Sequence, residues 1–106
     1  MINTLSPEQV KELMISEPET LLLDVREQWE YDVVHLPGSI LAPMSEFMKH
    51  LESLDKDKKT VVYCHHGARS LSVCAFLTSK GFTDVANLDG GINEYALTVD
   101  KTLARY

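Results

Sequence analysis

The chain has 106 residues, 44% hydrophobic and 25% charged, with a formal net charge of -6; this is the composition of one soluble globular domain, residues 1–106, and it argues against disorder and membrane insertion. The acids are dispersed and no run of Lys or Arg occurs, so neither nucleic acid nor membrane is an expected partner. Two cysteines, Cys64 and Cys74, make no disulfide framework and no paired zinc spacing, and the N-terminal stretch lacks a secretory pattern, so the expected compartment is a reducing cytoplasm.

The segment SPEQVKELM predicts a helix from Pro7 to about Ile15. Ser6 stands as N-cap, Pro7 at the first helical position and Gln9 completes a capping box, while Val10, Leu13 and Met14 repeat at helical spacing. TLLLDV reads as a buried parallel strand ending in a carboxylate, EQWEYDVV as a short helix, and HLPGSILAP as a turn at Pro37-Gly38 followed by a brief strand. MSEFMKHLESL predicts an amphipathic helix with Met44, Phe47, Met48 and Leu51 on one side. DKDKK is a solvated loop, KTVVY a further buried strand, and Arg69 to Lys80 a helix ending at Gly81. TDVANLDGG supplies one more strand and a glycine turn before a last helix from about Ile92. Strands alternating with helices predict parallel βα units with helices on both faces, and such folds bind ligands in the loops at the carboxyl ends of the strands.

Cys64 lies in one of those loops, in YCHHGARS between a strand and a helix. The backbone there has N–H groups uncommitted to any ladder, and the positive end of the helix dipole adds to them, so the loop interior favours an anion. Such a setting lowers a cysteine pKa from about 8.5 into the range of roughly 3.5 to 7.5, which predicts a thiolate at Cys64 near neutral pH. Gly67 permits a positive φ, Arg69 offers a charged fork for an oxyanion or for loop carbonyls, and Ser70 can cap the helix or donate a hydrogen bond. Cys74, inside an apolar helical run, reads as packing. Consecutive Cys64, His65 and His66 cannot readily aim three ligands at one ion, so no metal is expected and the histidines read as pocket lining or exposed surface.

CHHGARS, with four residues between Cys64 and Arg69 and a following serine, resembles the active-site loop of the rhodanese-like family. LLLDVREQWEYDVVHLPGSILAP resembles that family's aspartate-valine-arginine and histidine-hydrophobic-proline-glycine segments, and LDGGINEYA its late glycine-glycine segment. The resemblance implies a three-layer α/β/α domain on a five-stranded parallel sheet, with a short first strand near Ile2 to Leu5. It implies sulfur transfer through a Cys64 persulfide, from thiosulfate or a persulfide donor to a thiol, cyanide or a sulfur-carrier protein, without a cofactor. His65, His66, Gly67, Ala68, Arg69 and Ser70 then surround the substrate, and Asp24 and Arg26 brace the site. Tyr95 stands where many members carry tryptophan.

Two other classes compete with this expectation. Cysteine phosphatases and arsenate reductases use a similar loop but usually place five residues between cysteine and arginine, and a non-catalytic interaction module usually lacks the nucleophile. The net charge of -6 opposes steering of a small anion, so local donors must overcome the global field.

Overall fold

The computed structural model describes residues 3–106. Strand β1 (Asn3–Leu5) leads to helix α1 (Pro7–Ser16), β2 (Leu21–Asp24), α2 (Gln28–Val33) and β3 (Ile40–Leu41). A 3₁₀ turn (Met44–Glu46) precedes α3 (Phe47–Leu51), and β4 (Thr60–Tyr63), α4 (Ala68–Ser79), β5 (Val85–Leu88) and α5 (Gly91–Thr98) complete the order. The five strands form one sheet in the order β1-β5-β4-β2-β3, and every pairing is parallel. The expected α/β fold with a five-stranded parallel sheet is present; Ile2, expected in the first strand, lies outside the described residues.

Local chemistry accounts for the element boundaries. Ser6 Oγ accepts from Gln9 N–H at 3.2 Å and Gln9 Oε1 accepts from Ser6 N–H at 2.8 Å, the reciprocal box that starts α1. β2, β4 and β5 are buried along their whole length because successive side chains enter opposite layers. Leu23, Val62 and Val85 pack on one face with Phe47 of α3 and Val73, Cys74 and Leu77 of α4. Leu22, Val61, Tyr63 and Leu88 pack on the other with Val10 of α1 and Ile92 of α5, where Tyr95 adds a partly buried ring.

The third helix buries less of its apolar side than its pattern suggests. Phe47 is buried at 6% exposure, but Met44 and Met48, which line the same hollow, are 40% and 64% exposed. Phe47 packs in the core cluster beneath, and with the two methionines, Ser72, Val73 and Phe76 it lines a shallow hollow that is open to solvent. Periodicity alone overstated the apolar stripe because the α-helical part is only five residues long and begins after a 3₁₀ turn.

Candidate active site

Cys64 follows β4 directly and is 1% exposed. Its Sγ accepts hydrogen bonds from Gly67 N–H at 3.1 Å, Ser70 N–H at 3.4 Å and Ser70 Oγ at 3.3 Å. Gly67 caps α4 with φ 109°, a left-handed conformation that turns the chain into the helix just after its N–H has bonded the sulfur. Ser70 is therefore not the cap but lies in the first turn, where the sulfur serves as the acceptor for α4's free N–H groups. Burial pushes the thiol pKa up, but the Ser70 hydroxyl and the amides of Ser70, Gly67 and His66 outweigh it, and the net shift is downward. Charge at Sγ is thus favoured by preorganised donors and the α4 dipole, without a cationic side chain bonded to it.

Two other contacts hold the loop in this shape. The first turn of α5 donates from Ile92 N–H to Cys64 O at 2.9 Å and from Asn93 N–H to His65 O at 3.0 Å. Gly91 has φ 64°, and a Cβ there would collide with the carbonyls of Cys64 and His65, so glycine at this position lets α5 approach the loop backbone. On the β5 side, Asn87 Oδ1 accepts from Ser70 Oγ at 2.5 Å while Asn87 Nδ2 donates to Gly67 O at 3.3 Å. The Ser70 hydroxyl has one proton, and Cys64 Sγ, Gly67 O and Asn87 Oδ1 all lie within its reach.

Arg69 does not present an open fork. Its two terminal nitrogens donate to Glu30 Oε1 at 2.7 Å and Oε2 at 2.9 Å, pairing a 38% exposed guanidinium with a 5% exposed carboxylate. Glu30 also accepts from Glu27 N–H at 3.0 Å and from Tyr106 O–H at 2.6 Å. The Arg69 hydrogen bonds foremost hold its pKa down at about 2 from an ordinary 4.5. A depressed carboxylate contributes stability above its unfolded pKa, so this contribution is lost as pH falls from about 4.5 toward 2.

Asp24 and Arg26 form a second, fully buried pair below the loop. Arg26 Nε and Nη2 donate to Asp24 Oδ1 and Oδ2 at 2.9 and 2.6 Å, and Nη1 and Nη2 reach Tyr106 Oη at 2.9 Å and Val34 O at 2.7 Å. Both side chains have 0% exposure, so they brace β2 and the α2 entrance and cannot touch a diffusing substrate. His65 stacks on Tyr106 with ring centroids 3.9 Å apart, and His66 lies against His65 at 3.9 Å. Burial holds the His65 imidazole pKa down, which favours its neutral form. Ala68 is an exposed first residue of α4. No group of three or more His, Cys, Asp or Glu side chains converges for a metal among the described residues.

The rhodanese-like domain family matches residues 6–98. The chain belongs to that family. It superposes on a rhodanese-related protein from Thermoplasma volcanium with a TM-score of 0.83 and 29% identity, covering 92% of this chain and 93% of that one. It superposes on the reduced Bacillus anthracis CoADR-RHD with a TM-score of 0.86 and 27% identity, covering 97% of this chain and 18% of the larger protein. Over 94 residues it is 37% identical to the tRNA uridine(34) hydroxylase of Hamiltonella defensa subsp. Acyrthosiphon pisum (strain 5AT), an alignment over 83% of this chain. The chain spans about a quarter of the length of the curated relatives it matches, 26% in this case.

In this rhodanese-like domain, Glu30, Asn87 and Tyr106 join the loop although sequence reasoning did not single them out, and Gly91, read from sequence only as part of a glycine turn, meets the loop backbone. Glu30 carried one usable signal, its place three residues after Glu27 at a helix start. Cys74 is fully buried, and burial pushes its thiol up to about 12, in keeping with a packing role. The contrast predicts that iodoacetamide at pH 7 labels Cys64 ahead of Cys74, with a rate midpoint below the ordinary thiol value of 9.0. Ser70→Ala raises that midpoint and slows labelling at pH 7 by about tenfold, the effect of one lost hydrogen bond to charge. Peptide mapping by mass spectrometry with a pH series checks both, and equal labelling of the two cysteines would contradict the stabilised thiolate.

Proposed function

We propose that this domain is a sulfurtransferase that carries a sulfane sulfur on Cys64. The supporting observation is the three-donor cradle around a nearly buried Sγ, with no general base bonded to it. The Cys64 thiolate attacks the outer sulfur of thiosulfate or of a persulfide, and the sulfur–sulfur bond of the donor breaks with its electron pair leaving on sulfite or a thiolate. Cys64 then holds a persulfide. An acceptor thiolate or cyanide attacks the outer sulfur, and the Cys64 thiolate is regenerated. The loop amides and Ser70 stabilise negative charge in both half-reactions without reorganising. Under this reading His65, His66, Gly67, Ala68 and Arg69 form the loop that the donor meets, a reducing cytoplasm keeps Cys64 as a thiol, and no cofactor takes part. No helix among the described residues is long and apolar enough to cross a membrane.

A phosphatase reading is weaker, because the arginine that would clamp a tetrahedral anion is already paired with Glu30. The 37% identity to a tRNA uridine(34) hydroxylase favours a second reading, in which the domain works beside tRNA. A net charge of -6 opposes unaided binding of a polyanion, so that role would need further protein surface.

The deciding experiment is intact-protein mass after brief exposure to thiosulfate or cysteine persulfide. A gain of about 32 mass units that cyanide removes is the expected result of covalent sulfur transfer. No gain with either donor overturns the sulfurtransferase reading.

A further inference from the structure

We propose that Glu30 selects the sulfur donor: by occupying the Arg69 fork it leaves the Cys64-to-Ser70 loop without an unpaired arginine and favours a singly charged persulfide over dianionic thiosulfate. This rests on the sulfurtransfer reading above and names the donor class of the same site. Three observations carry it. First, the Arg69–Glu30 contact is a two-point pair at 2.7 and 2.9 Å, and its carboxylate is locked by two further donors, Glu27 N–H and Tyr106 O–H, so it does not swing aside at little cost. Second, the Arg26 guanidinium, which hydrogen-bonds Tyr106, is buried and matched by Asp24. Third, the groups that reach Sγ are backbone amides and the Ser70 hydroxyl, which stabilise one negative charge near the sulfur but supply no full positive charge for a second.

The remaining charges around the loop do not reverse this balance. His66 is exposed, and Arg105 is exposed beside Tyr106, where it lines with His65 a shallow hollow that Cys64, Gly67, Arg69 and Ser70 do not line. The field of the whole domain, at -6, repels a dianion more than a monoanion. Thiosulfate therefore approaches uphill and meets a neutral ion pair at the end of its path. A persulfide such as cysteine persulfide brings one charge, which the loop donors suffice to hold.

The test compares kcat/KM for thiosulfate and for cysteine persulfide, with cyanide as acceptor, in the wild-type domain and in Glu30→Gln. Glutamine keeps an acceptor for Arg69 but removes the neutralising charge, so the thiosulfate value is expected to rise about tenfold, mainly through KM, while the persulfide value changes less than about threefold. The double variant Glu30→Gln with Arg69→Gln is expected to lose that gain, because the freed cation is gone. A wild-type measurement stands apart from folding of the variants: raising ionic strength is expected to speed the thiosulfate reaction by screening repulsion. A thiosulfate rate that falls with salt, or a Glu30→Gln variant in which both donors shift together, overturns donor selection by Glu30. Failure of the wild-type domain to load sulfur from either donor would instead remove the sulfurtransfer reading itself.

Discussion

Replacing Cys64 with serine is expected to abolish sulfur loading while leaving the fold intact. A serine hydroxyl accepts the same hydrogen bonds from Gly67 N–H and Ser70 that the sulfur accepts, so no buried donor is stranded and stability should change by less than about 1 kcal/mol. The chemistry does not survive, because an alcohol is not ionised near neutral pH and forms no persulfide. Turnover with either donor should fall by on the order of 10³-fold or more, the scale seen when an essential nucleophile is removed. Urea unfolding and intact-mass loading, measured on the same preparation, separate the two effects. Sulfur retained on the Cys64→Ser chain would place the carrier at Cys74 and refute the assignment.

The second large effect concerns stability. Arg26→Met leaves the Asp24 carboxylate at 0% exposure without its cation and removes a donor from Val34 O and from Tyr106. Breaking a buried pair from one side costs about 3–5 kcal/mol, a large part of the roughly 5–15 kcal/mol that stabilises a domain of this size. Asp24→Leu is expected to cost a similar amount, since it strands the buried guanidinium. Removing both charges together should cost clearly less than the sum, because neither partner is then left unpaired. Urea midpoints at pH 7 for the two single variants and the double variant give this cycle. Single variants within about 1 kcal/mol of the wild type would show that water reaches the pair and that it does not brace the loop.

Much of this architecture was legible in local sequence. Ser6, Pro7 and Gln9 announced α1 because a capping box involves residues three apart, and the box forms as expected. The uninterrupted apolar runs of β2 and β4 announced a sheet covered on both faces, because only such strands have no solvent side to fill with polar residues. The cradle around Cys64 was foreseeable for the same reason: its donors, Gly67 and Ser70, lie three and six residues from the sulfur, within one strand-to-helix turn. Periodicity placed Met44, Phe47 and Met48 on one side, where they line one hollow, but only Phe47 is buried, since a five-residue helix after a 3₁₀ turn does not carry a full stripe into the core.

What the sequence by itself determined, then, was the order of elements, the two-sided burial of the central strands and a cysteine in an anion-stabilising loop. Tertiary structure alone decided the state of the charges around that loop. Glu30 meets Arg69 across 39 residues, Tyr106 meets Glu30 across 76, and Asn87 meets Ser70 across 17. Gly91 is required by the close passage of α5 over the Cys64 and His65 carbonyls, a constraint invisible until two distant segments are packed together. Helical and strand periods report which face a residue takes, but they carry no information on which partner stands opposite. An arginine that reads as an open anion clamp in isolation becomes half of a neutral pair once the chain has folded, because Coulomb energy depends on separation in space and not along the chain.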